Sequence, residues 1–143
     1  MTARLTVVVP AGGRGARLRP LTDVRPKPLL PLAGAAMLDH ALAPLAGAAF
    51  DEVVFVVPPD DRGLREHVAA HGPARARFVV QPEPRGQADA VARACAGVQG
   101  AVLILLPDTI HDVDLAALAR LGGEPGAPDG ILHVHAMADP ARF

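Results

Sequence analysis

The sequence predicts an α/β fold in which helices cover both faces of a mostly parallel sheet. Short apolar, β-branched runs alternate with segments whose apolar residues recur every three or four positions. Strands that alternate with helices form βαβ units, and these units require parallel strands. The chain has 143 residues, half of them hydrophobic, which is enough for one sizeable core. We therefore expect a single three-layer α/β/α domain over residues 1–143.

The first half of the chain is expected to contain two strands and two helices. The first strand is continuously apolar, as expected of a strand buried on both faces of a sheet. Pro44 interrupts the first helical pattern, so we expect that helix to break there. In chain order the predicted elements are the strand Leu5–Val9, the helix Ala36–Ala46, the strand Glu52–Val57 and a helix from an N-cap at Asp60 or Asp61 to His71.

The second half of the chain continues the alternation of strands and helices. Its most apolar run ends at a proline followed by an aspartate, Pro107-Asp108. One predicted helix carries Ala88, Val91, Ala92 and Cys95 on a single face. The predicted elements are the strand Arg77–Gln81, the helix Gly86–Val98, the strand Ala101–Leu106, the helix Val113–Leu121 and the strand Ile131–Ala136.

The stretch Pro10–Pro31 has the composition of a phosphate-binding loop. Gly12, Gly13 and Gly15 follow the first strand directly, and glycine lets the backbone turn its N–H groups into an anion-binding concavity. Lys27 is the only lysine of the chain and lies between two prolines that restrict its backbone. The cations around this turn are Arg14, Arg17, Arg19, Arg25 and Lys27.

Two common glycine loops are excluded by spacing. The P-loop needs a lysine directly after its last glycine, and none is present there. The dinucleotide fingerprint G-x-G-x-x-G has Leu18 in place of its third glycine. That fingerprint also needs a helix that begins at once, which Pro20, Pro26 and Pro28 prevent. We therefore expect the loop to lead into an extended, proline-punctuated arm.

Polar residues follow three of the predicted parallel strands. The glycine turn follows Val9, Gln81 ends the third strand, and Asp108 ends the strand after it. Because ligands bind beyond the carboxyl ends of parallel strands, we expect these three features at one edge of the sheet. Carboxylate oxygen suits Mg²⁺, which makes Asp108 a candidate metal ligand. The alternative role for Asp108 is the N-cap of the helix that follows.

A longer pattern surrounds the glycine turn. Ala11–Leu18 reads AGGRGARL, and Pro20-Leu21-Thr22 and Pro26–Leu29 follow at fixed spacing. This pattern resembles the signature of the sugar-nucleotide pyrophosphorylases, the nucleotidyltransferases that join a nucleoside triphosphate to a sugar 1-phosphate. The resemblance implies a Rossmann-like nucleotidyltransferase fold of the thymidylyltransferase and uridylyltransferase type. Ala16 stands where the family usually has Ser or Thr, so we expect one phosphate contact to be missing.

The resemblance implies a role for each candidate residue. Gln81–Val91 is similar to the base-reading segment of the family, and Leu106–Thr109 to its metal-bearing strand end. A glutamine amide and a close backbone approach at a glycine would read the edge of a pyrimidine, which points to dTTP or UTP. The implied assignments are nucleotide binding by Ala11, Gly12, Gly13, Arg14, Gly15, Gln81 and Gly86, catalysis by Arg17 and Lys27, and Mg²⁺ binding by Asp108.

The chain is expected to cover only part of the length of the family's members. Asp139–Phe143 resembles a mid-chain motif of the family, whose members run substantially longer. The chain therefore corresponds to the N-terminal, nucleotide-binding portion. Two functions remain open on the sequence: a nucleotidyltransferase that acts on a sugar 1-phosphate, and a non-catalytic nucleotide-binding domain with a regulatory or assembly role. A molybdopterin-type guanylyltransferase would share the fold, but its loop usually lacks the proline arm.

Composition limits the partners and the compartment. A net charge of −1 and the lack of Trp and Tyr argue against nucleic-acid binding. No apolar run is long enough to span a bilayer, and the N-terminal residues do not read as a signal peptide. Cys95 is the only cysteine, so we expect no internal disulfide and a cytoplasmic protein; a homo-oligomer stays open.

Other polar clusters have simpler explanations. His133 and His135 share one face of a predicted strand, where we expect edge or partly buried histidines instead of a metal pair. His111, Asp112 and Asp114 are expected in a solvated loop and an acidic first helix turn.

Overall fold

The computed structural model describes residues 5–61, 63–124, 126, 128–132 and 134. The predicted alternation of strands and helices is confirmed in this part of the chain. The strands are β1 (Leu5–Pro10), β2 (Pro31–Leu32), β3 (Ala35–Ala36), β4 (Glu52–Val57), β5 (Ala76–Val80) and β6 (Ala101–Ile104). The α-helices are α1 (Leu21–Val24), α2 (Met37–Leu42), α3 (Leu64–His71), α4 (Gln87–Ala94) and α5 (Leu115–Gly123).

The central sheet has four strands in the order β5-β4-β1-β6, and every neighbouring pair is parallel. In β1, Val7, Val8 and Val9 are fully buried. Continuous burial on both faces explains why this strand is an unbroken apolar run. The β2–β3 hairpin is antiparallel and separate from the central sheet.

The sheet is the middle layer of three. On one face, Val7, Val53 and Phe55 pack with buried leucines of α2, α3 and α5. On the other face, Val8, Val54 and Val56 pack with Ala90 and Ala94 of α4. The predicted three-layer α/β/α arrangement is confirmed by these two clusters.

Helix ends differ from the sequence predictions. The N-cap of α3 is Gly63, with φ 91°, and not the predicted Asp60 or Asp61, because a left-handed turn favours glycine. Asp61 instead forms an ion pair with Arg65 one turn later. Helix α4 ends at Ala94 instead of Val98, shortly before the left-handed Gly97.

The buried face of α4 also differs from the prediction. Of the predicted face, Val91 and Cys95 pack partly buried against the core, but Ala88 and Ala92 are exposed, and the buried residues are Ala90 and Ala94. Apolar periodicity does not distinguish these alternatives in an alanine-rich helix. The helix packs through small side chains at positions 90 and 94, which let it approach Val8, Val54 and Val56 closely.

The proline arm is more structured than the extended chain we predicted. It contains 3₁₀ turns at Ala16–Leu18 and Lys27–Leu29, and the single helical turn α1 lies between them. Prolines at 20, 26 and 28 prevent a continuous helix, but each also presets φ for a short turn.

The remaining predictions concern the C-terminal part of the chain. Of the predicted strand Ile131–Ala136, the described residues 131, 132 and 134 are not in a strand, and the rest, with His133 and His135, lie outside the described residues. Asp139–Phe143 also lies outside them. Within the described part of the chain, no helix has the length and apolar character needed to cross a membrane.

Candidate active site

Backbone hydrogen bonds join the segments that follow three strands. Ala11 N donates to Val56 O at 2.8 Å, and Gln81 N donates to Val57 O at 2.9 Å. Leu105 N donates to Val8 O at 2.9 Å. The glycine turn, Gln81 and the segment leading to Asp108 therefore leave the sheet at the same edge, as the parallel topology requires.

The glycine turn is shaped by Gly15 and Thr22. Gly15 has φ 61°, and a Cβ there would lie 2.8 Å from Thr22 Cγ2. The buried Thr22 hydroxyl donates to Gly15 O at 2.9 Å and fixes the turn. Among the described residues, no backbone carbonyl accepts a hydrogen bond from the backbone N–H groups of residues 12–15. These four N–H groups are available to an anion.

Lys27 and Asp108 meet beside this turn. Lys27 Nζ donates to Asp108 Oδ2 at 2.5 Å, with side chains 31% and 35% exposed. Asp108 is not a helix N-cap: Asp114 caps α5 and accepts from Ala117 N. The alternative we considered for Asp108 is therefore wrong, and its carboxylate stays accessible from the cavity described below.

Gln81 lies 7% exposed behind the glycine turn and makes two contacts with α4. Its Nε2 donates to Gly86 O at 3.1 Å and to Asp89 Oδ2 at 2.7 Å. Arg93 Nε donates to the same Asp89 oxygen at 2.8 Å. The hydrogen bonds from Arg93 and then from Gln81 hold the pKa of Asp89 below its usual value.

Two cavities flank the glycine turn. The lysine cavity, about 280 Å³, is lined by Gly12, Gly15, Lys27, Gln81, Gly86 and Asp108 among others. The arginine cavity, about 260 Å³, shares Gly12 and Gln81 but adds Arg14 and Arg19. The two volumes meet across the same glycines, as an elongated ligand would require.

Nine of the ten candidate residues line these cavities. Ala11, Gly12, Gly13 and Gln81 line both, Arg14 lines the arginine cavity, and Gly15, Lys27, Gly86 and Asp108 line the lysine cavity. Arg17 does not line either cavity and lies exposed on the 3₁₀ turn at Ala16–Leu18. The structure therefore brings the candidates together with the exception of Arg17.

The carboxylate of Asp108 suits a hard cation whose coordination is completed by oxygen atoms of the substrate. Within the described residues, no group of three His, Cys, Asp or Glu side chains is arranged to hold a metal. Asp108 nevertheless lines a cavity whose wall also includes Gly12, Gly13 and Gly15 of the turn. Mg²⁺ is commonly held by one or two carboxylates together with substrate phosphates and water, so these residues fit it.

Three residues around this site were missed by the sequence analysis. Thr22 fixes the glycine turn, and Asp89 and Arg93 hold the Gln81 amide. Asp89 and Arg93 are four positions apart on a predicted helix, which is a recognisable signal for an ion pair. The contact between Asp89 and Gln81 could not be recognised in the sequence, because it joins α4 to the residue that follows β5.

Comparison with known proteins identifies the family of this chain. The sequence profile of the family described as nucleotidyl transferase matches residues 6–143. The chain belongs to the nucleotidyl transferase family. The resemblance carried by the glycine turn and proline arm is thereby confirmed.

Two curated relatives in this family illustrate its range. The bifunctional protein GlmU of Gloeobacter violaceus is 38% identical over 111 residues, which cover 76% of this chain and 23% of that protein. The mannose-1-phosphate guanylyltransferase of Mycobacterium tuberculosis is 30% identical over 146 residues, which cover 99% of this chain and 40% of that protein. The chain therefore spans less than half the length of either relative.

A solved structure with the same fold is a UDP-glucose pyrophosphorylase complexed with UDP-glucose. It superposes with a TM-score of 0.69 at 20% identity, over 82% of this chain and 53% of that one. At this identity the match establishes the shared fold, and the Rossmann-like nucleotidyltransferase architecture is confirmed.

Proposed function

We propose that the protein transfers a nucleotidyl group from a nucleoside triphosphate, dTTP or UTP, to a sugar 1-phosphate and releases pyrophosphate. The observation that carries this proposal is the pairing of Lys27 with Asp108 at 2.5 Å in the cavity bounded by the open glycine turn. Membership of the nucleotidyl transferase family supports the reaction class. The relatives differ in the nucleotide they are named for, so the base and the sugar are part of this proposal.

The reaction is a substitution at the α-phosphorus. A phosphate oxygen of the sugar 1-phosphate forms a bond to that phosphorus, and the bond from the α-phosphorus to the α–β bridging oxygen breaks. The bridging oxygen leaves with its electron pair as part of pyrophosphate. A phosphate monoester has a second pKa near 6, so the attacking group is already ionised at neutral pH and needs no general base. Catalysis then depends on positioning and charge neutralisation.

The glycine turn and Lys27 supply most of the positive potential. The four N–H groups of residues 12–15 would bind the β- and γ-phosphates, because no backbone carbonyl of the described residues accepts from them and the turn lines both cavities. Lys27 would bridge the sugar phosphate and the α-phosphate, since its ammonium faces the lysine cavity. Arg17 would brace the departing pyrophosphate, which requires its exposed side chain to turn toward the arginine cavity.

Asp108 is the proposed Mg²⁺ ligand. Its carboxylate is 35% exposed and is paired with the Lys27 ammonium. A Mg²⁺ ion bound there would take the place of that ammonium as the positive partner of Asp108. A Mg²⁺ ion held by Asp108 would supply charge neutralisation at the reacting phosphates.

The base is proposed to contact Gln81 and Gly86. Gln81 lies behind Gly12, and a Cβ on Gly12 would come within 3.2 Å of the Gln81 Oε1. The missing side chain therefore keeps position 12 from crowding the Gln81 amide. Gly86, with φ 91°, turns the backbone at the start of α4 and allows a close approach.

Pyrophosphate release with dTTP or UTP, each with glucose 1-phosphate and Mg²⁺, tests the proposal. We expect turnover that requires all three components. Tight binding of the nucleotide without release of pyrophosphate would instead support a non-catalytic nucleotide-binding domain. Failure to bind any nucleotide would reject both functions.

A further inference from the structure

The Gln81 amide has a fixed direction in this fold. Both hydrogens of Nε2 are donated to oxygen acceptors, the Gly86 carbonyl and the Asp89 carboxylate, at 3.1 and 2.7 Å. A reversed amide would place Oε1 against these two oxygens, which is repulsive. The chemistry of the neighbours therefore determines which end of the amide points toward α4.

The carbonyl oxygen of Gln81 consequently points toward the glycine turn. Gly12 is the residue whose missing Cβ would lie 3.2 Å from Oε1. Within the described residues, no group donates a hydrogen bond to this oxygen. Gln81 lines both cavities, so Oε1 is a preset acceptor at their shared wall.

Arg93 holds Asp89 in the position that fixes Gln81. The guanidinium donates at 2.8 Å to the same Oδ2 that accepts from Gln81. Asp89 and Arg93 lie one turn apart on α4, so their pairing is set by the helix and not by the ligand. Neither side chain lines the lysine or the arginine cavity.

We propose that Asp89 and Arg93 are positioning residues that make Gln81 an acceptor toward the nucleobase. The site then favours a base that presents an N–H at this point, as the N3–H of uracil or thymine does. This inference rests on the proposed nucleotide site, and it adds that base choice is determined by a carboxylate outside the cavity. Binding of a base with a lone pair at that position would leave two acceptors facing each other.

Two nucleotides and three variants test the inference in the full 143-residue chain. The nucleotides are UTP and the triphosphate of 2-pyrimidinone riboside, in which N3 carries a lone pair and no hydrogen. Asp89→Ala removes the acceptor, whereas Asp89→Asn keeps an oxygen that Arg93 can still bind. Glu52→Ala is the matched control, because it removes another carboxylate bound by an arginine, Arg77, at the opposite end of the sheet.

Dissociation constants from calorimetric titration are the readout, so turnover is not needed. We expect UTP to bind about tenfold more tightly than the analogue to the wild type, to Asp89→Asn and to Glu52→Ala. In Asp89→Ala we expect the ratio to fall to about threefold or less, because Gly86 O alone then holds the amide. An unchanged ratio in Asp89→Ala, an equal loss in Glu52→Ala, or no preference in the wild type would overturn the inference.

Failure of the inference is separable from failure of the proposed function. A selective wild type that releases no pyrophosphate contradicts the transferase reaction and leaves the positioning role intact. Pyrophosphate release with the same base ratio in Asp89→Ala contradicts the positioning role alone.

If the chain binds neither nucleotide, a measurement without ligand still tests the inference. NMR exchange of the Gln81 side-chain amide protons should speed up about tenfold in Asp89→Ala and stay unchanged in Glu52→Ala. Equal exchange in all proteins would show that Asp89 does not hold the amide.

Discussion

Lys27 Nζ lies 2.5 Å from Asp108 Oδ2, although 81 positions separate the two residues in the chain. Lys27 belongs to the arm that follows β1, and Asp108 follows β6. These strands are parallel neighbours in the sheet, so their carboxyl ends lie side by side. The pair therefore depends on the sheet order and would be lost in any other arrangement of the strands.

Replacement of Lys27 should abolish most of the proposed transfer. We expect Lys27→Met to lower turnover by roughly 10²–10³, since one preorganised donor to the reacting phosphates contributes about that factor. Initial rates of pyrophosphate release measure it. Arg75→Met, which removes an exposed cation directly before β5, is the control and should retain the wild-type rate. Equal losses in both variants would contradict a specific role for Lys27.

Replacement of Asp108 should change the dependence on Mg²⁺. Asp108→Asn removes the charge that we propose holds the ion, and we expect the Mg²⁺ concentration for half-maximal rate to rise at least about tenfold. A magnesium titration of the rate measures this shift. Asp112→Asn, four residues on in an exposed position, should leave the titration unchanged. The same titration curve for Asp108→Asn and wild type would reject Asp108 as the ligand.

The glycine turn should be sensitive to a single methyl group at one position. Gly15→Ala requires φ near 61° and places Cβ 2.8 Å from Thr22 Cγ2. We expect it to reduce the free energy of unfolding by about 1–3 kcal/mol. Gly13→Ala meets nothing within 4 Å and should change stability by less than about 0.5 kcal/mol. Urea unfolding of both variants measures the difference, and equal stabilities would contradict the observed turn.

Acid should weaken the fold partly through Glu52. Two hydrogen bonds from Arg77, each 3.0 Å, lower the pKa of Glu52 below its usual 4.5, although burial opposes the change. Because the folded-state pKa is the lower one, the pair stabilises the protein above the unfolded-state value. That contribution is lost as the pH falls through the folded-state value.

The corresponding variant tests this pH dependence. Glu52→Gln should be less stable than wild type near pH 7, by at most about 1 kcal/mol because the pair is partly exposed, and this difference should shrink as the pH falls below the usual carboxyl pKa of 4.5. Urea unfolding near pH 7 and near pH 3 gives the comparison. Glu66→Gln on the exposed side of α3 is the control. A stability gap for Glu52→Gln that is the same near pH 3 as near pH 7 would exclude titration of Glu52 as the cause.

The sequence was most informative where local chemistry decides the structure. The strand Glu52–Val57 was predicted with its observed ends, because an apolar run is followed by two prolines. The glycine turn and the isolated Lys27 identified the edge where the cavities form. Gln81 and Asp108 each follow a predicted parallel strand, so they were predicted at the same edge, and the hydrogen bonds of Gln81 and Leu105 to neighbouring strands confirm it.

Contacts between segments remote in the chain could not be predicted. The cap of α3 at Gly63 depends on the path out of β4, and the buried face of α4 depends on how closely an alanine-rich helix approaches the sheet. The direction of the Gln81 amide depends on Asp89, which only the docked helix brings near. The roles assigned to Arg17 and to Mg²⁺ stay predictions.

Strand β6 has a consequence for work with the isolated polypeptide. Among the described strands it pairs only with β1, and Val102 and Ile104 are 38% and 50% exposed on the side where α4 covers β1 and β4. A strand with one side unpaired by any described strand, and with protruding aliphatic groups, is a template for intermolecular β-addition. We expect samples to precipitate as they are concentrated, and a lysine substituted at Ile104 to raise the attainable solubility without disturbing the ligand cavities.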